Sequence, residues 1–243
     1  MIRFTLAATA LLAASAANAL PAPGPVAAIH AYEFEGANAV IDTAGHDDGT
    51  LMDGAYVGGG QLHLEGVNDW VNFSAYLVPV NSAYSIYVRT NSLSSVGAIA
   101  EIISQGQTGG TGTYLGLQNG NIRATDYYFN TGVAFPGGMH EFLFTTEPGA
   151  SKLYVDGQLV FSGSNQATAY ATGSTTRFGR QFAPYDEFYH GDIDSIRIYD
   201  TAITPSDVAE VPEPATWALM LGGFGLVGAA MRRRAVARVA MVS

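Results

Sequence analysis

The residues able to do chemistry in this chain are carboxylates and aromatic rings. The stretch Gly191 to Tyr199, GDIDSIRIY, reads as a strand, and strand residues of one parity share a face. Asp192 and Asp194 share parity with Ile196 and Ile198, so a strand that buries the isoleucines aims Asp194 at the core. A carboxylate on an apolar face must be hydrogen-bonded, paired or bound to a metal. Two readings stand for Asp194. It accepts backbone N–H bonds near a strand end, or it is a ligand of a structural calcium ion, which prefers carboxylate and carbonyl oxygens. The loop of Asp42, Asp47 and Asp48 offers further oxygens. It lacks the EF-hand pattern and reads otherwise as a solvated turn.

The rings cluster in two segments, Asp126-Tyr127-Tyr128-Phe129-Asn130 and Phe182 to Tyr189. Tyr127, Tyr128, Tyr185 and Tyr189 are the candidate ligand-binding residues. A tyrosine offers a large apolar face and a polar edge, which suits a sugar. The competing reading is that these rings fill a sheet core and its rim, where aromatics are common.

No catalytic constellation stands out. His140-Glu141 opens like a zinc-protease motif, but Phe144 stands where the second histidine must be. There is no G-x-S-x-G elbow and no phosphate loop. Glu101, a lone acid in AIAEIIS, is expected to face solvent. A glycoside hydrolase needs two carboxylates about 5–10 Å apart across a groove, a pairing that sequence alone does not reveal. The expectation is a protein without catalytic residues.

Strands must position these groups. From Ile29 to Tyr199 the apolar residues alternate rather than recur at a helical period. The pattern predicts strands at Ala31–Phe34, Leu62–Leu64, Val71–Phe73, Tyr84–Arg89, Ile99–Ile103 and Tyr114–Gln118. It predicts six more at Ile122–Phe129, His140–Thr145, Lys152–Val155, Leu159–Phe161, Thr176–Gly179 and Asp192–Tyr199. Asn119-Gly120 and Asp156-Gly157 are the residue pairs that a type I′ hairpin turn wants. Short strands without interleaved helices indicate an all-β fold, an antiparallel two-sheet sandwich or jelly roll. Thr204, Pro205 and Asp207 mark the start of a short helix after the last strand.

Composition bounds the partners. The 243 residues suit one domain with terminal segments. Between Pro21 and Val211 there are six basic and twenty acidic residues. A surface that acidic repels nucleic acid and anionic lipid and tolerates cations and neutral sugars. With no cysteine, the core alone must hold the fold. Residues 1–19 read as a secretory signal peptide, with Arg3, an apolar run from Phe4 to Ala14, and Ala17-Asn18-Ala19 at the cleavage site.

The order AYEFEG, DTAGHDDGTL, LHLEGVNDWVNF, YSIYVRT, MHEFLFTT, KLYVDGQLV, FGR and HGDIDSIRIYDTAITPSDV resembles the laminin-G-like, concanavalin A-like jelly roll family across residues 29–211. The resemblance implies two stacked antiparallel sheets, frequent calcium binding, and roles in glycan or protein binding. It makes the first and last strands neighbours, which adds Glu35 to Asp194 as a candidate metal ligand. The tryptophan that the family often carries near Met139-His140 is absent, as is the closely spaced acidic strand motif of the jelly-roll glucanases.

The tail has its own signature. Pro212-Glu213-Pro214 precedes an uncharged run from Ala215 to Met231, followed by Arg232, Arg233 and Arg234. The run is at the short end of the roughly 17–25 residues a spanning helix needs, and the arginines fix that end in the cytoplasm. Residues 212–234 resemble the PEP-CTERM sorting signal of Gram-negative bacteria, which implies processing by an exosortase and delivery to the cell surface or extracellular matrix after passage through the inner membrane. The function expected is an exported, non-catalytic protein that binds or organises extracellular polysaccharide, as in a biofilm. The alternatives are a glycan-cleaving hydrolase on the same fold and a structural or adhesive matrix protein.

Overall fold

The computed structural model describes residues 26–36, 38–92, 99–106, 112–125, 131–183, 185 and 187–208. The expected signal peptide at 1–19, the sorting tail at 212–234, and Tyr127 and Tyr128 lie outside these residues. Among the described residues the fold is strands joined by turns, and no helix is long and apolar enough to cross a membrane. The strands are β1 (His30–Tyr32), β2 (Thr50–Met52), β3 (Tyr56–Gly58), β4 (Gln61–Glu65), β5 (Trp70–Asn72), β6 (Tyr84–Thr90) and β7 (Ile99–Gly106). The chain continues through β8 (Gly112–Gln118), β9 (Asn121–Ala124), β10 (His140–Glu147), β11 (Ala150–Val155), β12 (Gln158–Gly163), β13 (Ser174–Phe178) and β14 (His190–Tyr199).

These strands form the two antiparallel sheets that the alternating pattern predicts. One sheet has eight strands in the order β12-β11-β10-β6-β14-β4-β3, with β1 also paired to β14. The other has six, in the order β2-β5-β13-β7-β8-β9. Strand β14 is the hub of the larger sheet. One edge pairs with β6, and the other is shared by β4 at residues 190–193 and β1 at residues 196–198. Both predicted hairpin turns form, with positive φ at Asn119, Gly120, Asp156 and Gly157, as a type I′ turn requires. The short helix after β14 is a single 3-10 turn, Pro205–Asp207, whose Asp207 carboxylate accepts the Thr204 N–H at 2.8 Å.

The core lies between the sheets. Tyr32 packs edge-on against Phe73 and Phe178, each at 5.2 Å between ring centroids, and Phe73 and Phe178 meet at 4.5 Å. This trio ties the two sheets together, because Tyr32 belongs to the eight-stranded sheet and Phe178 to the six-stranded one. A second, smaller cluster of Tyr87, Leu143, Tyr199 and Ile203 sits on the outer face of the eight-stranded sheet. Val26, Ala28 and Val208 pack against it, and the Val26 N–H bonds the Asp207 carbonyl at 3.0 Å. The two ends of the described domain therefore lie side by side on that face.

One expectation from strand parity is corrected. The β14–β6 register shifts between Ile193 and Ser195. Such a bulge inserts a residue and re-aims its side chain. Ile193, Ile196 and Ile198 are thus all buried in the core, although their numbers differ in parity, while Asp194 turns outward to Arg89. Truncating the ring that joins the sheets tests the packing. Phe178→Ala should lower stability by about 3–5 kcal/mol, read as a shift in the urea midpoint without change in slope.

Candidate functional site

The face with the most unusual chemistry is the outer side of the six-stranded sheet. Along β8, Leu115 and Leu117 enter the core, so Tyr114 and Gly116 take the outer side. Gly116 registers with both Glu101 on β7 and Arg123 on β9. The three strands thereby bring an acid, a base and a bare backbone to one row. A Cβ at Gly116 would collide with the Ala100 carbonyl and lie 2.6 Å from a Glu101 carboxylate oxygen. Glycine is the residue that lets Glu101 reach across to Arg123.

Glu101 and Arg123 form a buried ion pair through Nη1 and Oε1. A Glu187 oxygen lies 3.8 Å from the same Arg123 nitrogen, and the Glu101 N–H bonds the Glu187 carbonyl at 3.1 Å. The expectation that Glu101 faces solvent is corrected, since its exposure is 0%. The β7–β8 register shifts between Glu101 and Ile103, which sets the acid opposite Arg123. Nothing in a single-strand reading marks that partner, which lies two strands away.

Rings and guanidinium groups continue the row. Arg123 lies 4.6 Å over the Tyr114 ring, and Tyr114 meets Phe182 at 6.2 Å between centroids. Arg177 lies 5.2 Å over Phe182 and 4.6 Å over Trp70. Arg180 lies 5.1 Å over Trp70 and 5.0 Å over Phe188. Each contact places a cation against the negative face of a ring. The segment after β13 is pinned over the sheet by these stacks, and by Arg177 Nη1 donating to the Gln181 carbonyl at 3.3 Å. Trp70 Nε1 donates to Asp53 at 3.3 Å.

The sequence candidates separate in space. Tyr185 is 57% exposed, in a turn closed by its N–H on the Phe182 carbonyl at 3.1 Å. Tyr189 is fully buried in the core, and its hydroxyl bonds the Asn91 carbonyl and Thr90, so it offers no ring face to a ligand. The parity of the 182–189 segment could not reveal this, because its turn breaks strand alternation. Asp194 Oδ2 sits 2.5 Å from Arg89 Nη1, so a cation there would have to displace the guanidinium. The Glu35 carboxylate lies beside Gly60.

The acidic loop is drawn together instead with His30. Ligand atoms of His30, Asp42 and Asp47 lie within 4.8 Å of one another. The Asp42 oxygens, however, already accept the N–H groups of Ala31, Ala44, Gly45 and Asp47, and His30 Nδ1 lies 2.7 Å away. That donor set is a self-contained clasp between the loop and β1. Burial pushes the Asp42 carboxyl up, but the bonds from His30, Ala31, Gly45 and Asp47 outweigh it and hold the carboxyl below the usual aspartate range.

Two outcomes test these assignments. Arg123→Met should cost about 3–5 kcal/mol by leaving Glu101 charged and buried without its guanidinium, and the double variant Glu101→Leu/Arg123→Met should regain most of that loss, read by urea denaturation. For the clasp, a depressed folded pKa means that its stabilisation is complete above the unfolded value of about 3.9 and is lost as pH falls below it. Asp42→Asn should therefore lower the urea midpoint at pH 7, and the gap from the parent protein should close as the pH is taken from 4 toward 2.

Comparisons with known proteins agree with this architecture. The fourth domain of the GH43 extracellular arabinanase AbnA of Geobacillus stearothermophilus, solved in complex with arabinotriose, superposes with a TM-score of 0.62 at 20% identity, covering 74% of this chain and 95% of that one. The Trypanosoma rangeli sialidase gives 0.58 at 14% identity, covering 77% of this chain and 32% of the sialidase. The binding domain of botulinum neurotoxin serotype D gives 0.53 at 17% identity, covering 74% of this chain and 50% of that one. The chain thus spans about a third of the sialidase and half of the toxin domain, and at these identities the likeness is one of fold. Comparison with curated proteins finds no match. The profile of the PEP-CTERM protein-sorting motif matches residues 210–234, which implies exosortase processing and a secreted, surface-directed protein. The profile of the concanavalin A-like lectin/glucanases superfamily matches residues 65–209, and the chain belongs to that family.

Proposed function

We propose that this protein is a non-catalytic polysaccharide binder, sorted to the cell surface to hold or organise extracellular glycan. The observation that carries this reading is the state of Glu101 and Glu187, two carboxylates that meet Arg123 on the outer face of the six-stranded sheet. Glycoside hydrolysis needs one carboxyl that carries a proton and a second that is open to the sugar. Glu101 is fully buried and paired, and the guanidinium that pairs it also draws in Glu187. Glu101 is therefore closed to a substrate and committed to its partner.

What that face presents to solvent, among the described residues, is the exposed ring of Tyr185 and the half-buried Arg177 and Arg180, which lie over the buried ring of Trp70. The arabinanase domain, similar in fold over nearly its whole length, was solved with arabinotriose, which supports a sugar as the type of ligand. The test pairs a binding assay with a cleavage assay. The full chain in detergent is screened against immobilised polysaccharides, the producing cell's own exopolysaccharide among them, and the same mixtures are assayed for new reducing ends. Retention on one or more polymers with no new reducing ends is expected. Reducing ends that disappear with Glu101→Gln or Glu187→Gln would replace this reading with a hydrolase. Retention on none would favour an adhesive protein with protein partners.

A further inference from the structure

We propose that Tyr56, His63 and Asp192 form a subsite for an uncharged sugar unit of a polysaccharide, on the outer face of the eight-stranded sheet. This rests on the binding reading above and adds to it a place and a ligand class. Val57, Leu62, Leu64 and Ile193 enter the core, so their strand neighbours Tyr56, His63 and Asp192 take the outer side. The ladder pairs Tyr56 with His63, and His63 with Asp192. Phenol ring, imidazole and carboxylate therefore stand in one row across β3, β4 and β14, with about 5 Å from each strand to the next.

The row is held from its far end. Asn91 Nδ2 donates to Asp192 Oδ2 at 3.2 Å, and Asn91 Oδ1 accepts the Asp192 N–H at 2.8 Å. Asp192 Oδ1 lies 2.7 Å from His63 Nδ1, and the Gly58 carbonyl lies 2.9 Å from His63 Nε2. Contacts at both nitrogens fix the plane of the imidazole. Tyr56 stacks on that plane, at 4.5 Å between centroids and 20° between rings. The Tyr56 ring is still 48% exposed, so the face turned away from His63 is open to solvent. Beyond Tyr56 the outer side of β3 and its turn carry Gly58, Gly59 and Gly60, which leave the space beside the ring bare. A ring already fixed in its plane loses little side-chain freedom when a ligand settles on it.

The chemistry suits a neutral sugar. Its C–H face packs on an aromatic ring, and its hydroxyls need polar partners at the margin. An ionised carboxylate offers about four lone-pair positions. Asp192, partly exposed, spends two of them on His63 and Asn91. The Glu35 carboxylate reaches Gly60 in the adjoining turn, and Glu65 follows His63 on the same side of β4. These acids accept bonds from hydroxyl groups and repel an anionic polymer.

The experiment measures binding of arabinan, dextran and polygalacturonate to the full chain in detergent, by titration calorimetry at physiological salt. Binding of at least one neutral polymer and none of polygalacturonate is expected. Tyr56→Ala and Tyr56→Leu should each weaken it about tenfold or more, whereas Tyr56→Phe, which keeps the ring, should retain most of the affinity. Asp192→Ala, which frees the imidazole and removes the acceptor, should weaken it too. Thermal melting is recorded for each variant, and if Asp192→Ala does not fold, the exposed Tyr56 series decides. Unchanged affinity in Tyr56→Ala, loss of affinity in Tyr185→Ala alone, or binding of polygalacturonate alone overturns this subsite while leaving a glycan binder standing. Retention of no polymer in the wider screen removes both.

Discussion

Arg123 is the constraint around which the six-stranded sheet is arranged. A guanidinium beneath the surface of a sheet cannot shed its proton, so the fold has to bring it a carboxylate. Glu101 meets that need from a neighbouring stretch of β7, across a row where Gly116 omits a side chain. The bulge in β7, the glycine in β8 and the tyrosine under the guanidinium all follow from placing that pair. So does the chemistry of the face. Among the described residues, Glu101 is committed to a buried cation, and rings and guanidinium groups make up much of the rest of that face.

The larger sheet obeys a different constraint. Its hub, β14, must bury isoleucines on both sides of an aspartate, and a single inserted residue resolves the conflict. Desolvating Asp194 would have cost more than the local distortion. Arg89 on β6, brought alongside by the same register, then takes the carboxylate at the surface. Three histidine–aspartate contacts, at His30, His63 and His140, tie loops and strand ends of this sheet in the same side-chain manner.

Much of this was legible in the chain itself. Alternation located most of the strands, the Asn-Gly and Asp-Gly pairs located two hairpins, and the Pro-Glu-Pro run with its arginines marked the sorting tail. Strands β2 and β3 escaped because glycines interrupt the stretch 49–60 and leave no alternating run there. The site was far less legible. Parity misplaces Asp194 because a bulge is invisible to counting by twos, and Glu101 looked like a surface acid because its partner is separated from it by 22 positions. The ladder of arginines and rings draws on β5, β8, β9, β13 and the turn after β13, so no window of sequence contains it. Asp42 was visible as an acid, but the N–H groups that converge on it are backbone atoms, which a list of side chains does not display.

The pairing of Val26 with Asp207 gives the molecule a fixed bearing. Chain entry and exit share one corner of the eight-stranded sheet, and the sorting motif follows from residue 210. The chain therefore leaves the domain from the side of that sheet. The arginine-and-ring row lies on the back of the opposite sheet, so it is turned away from the corner where the chain leaves the domain.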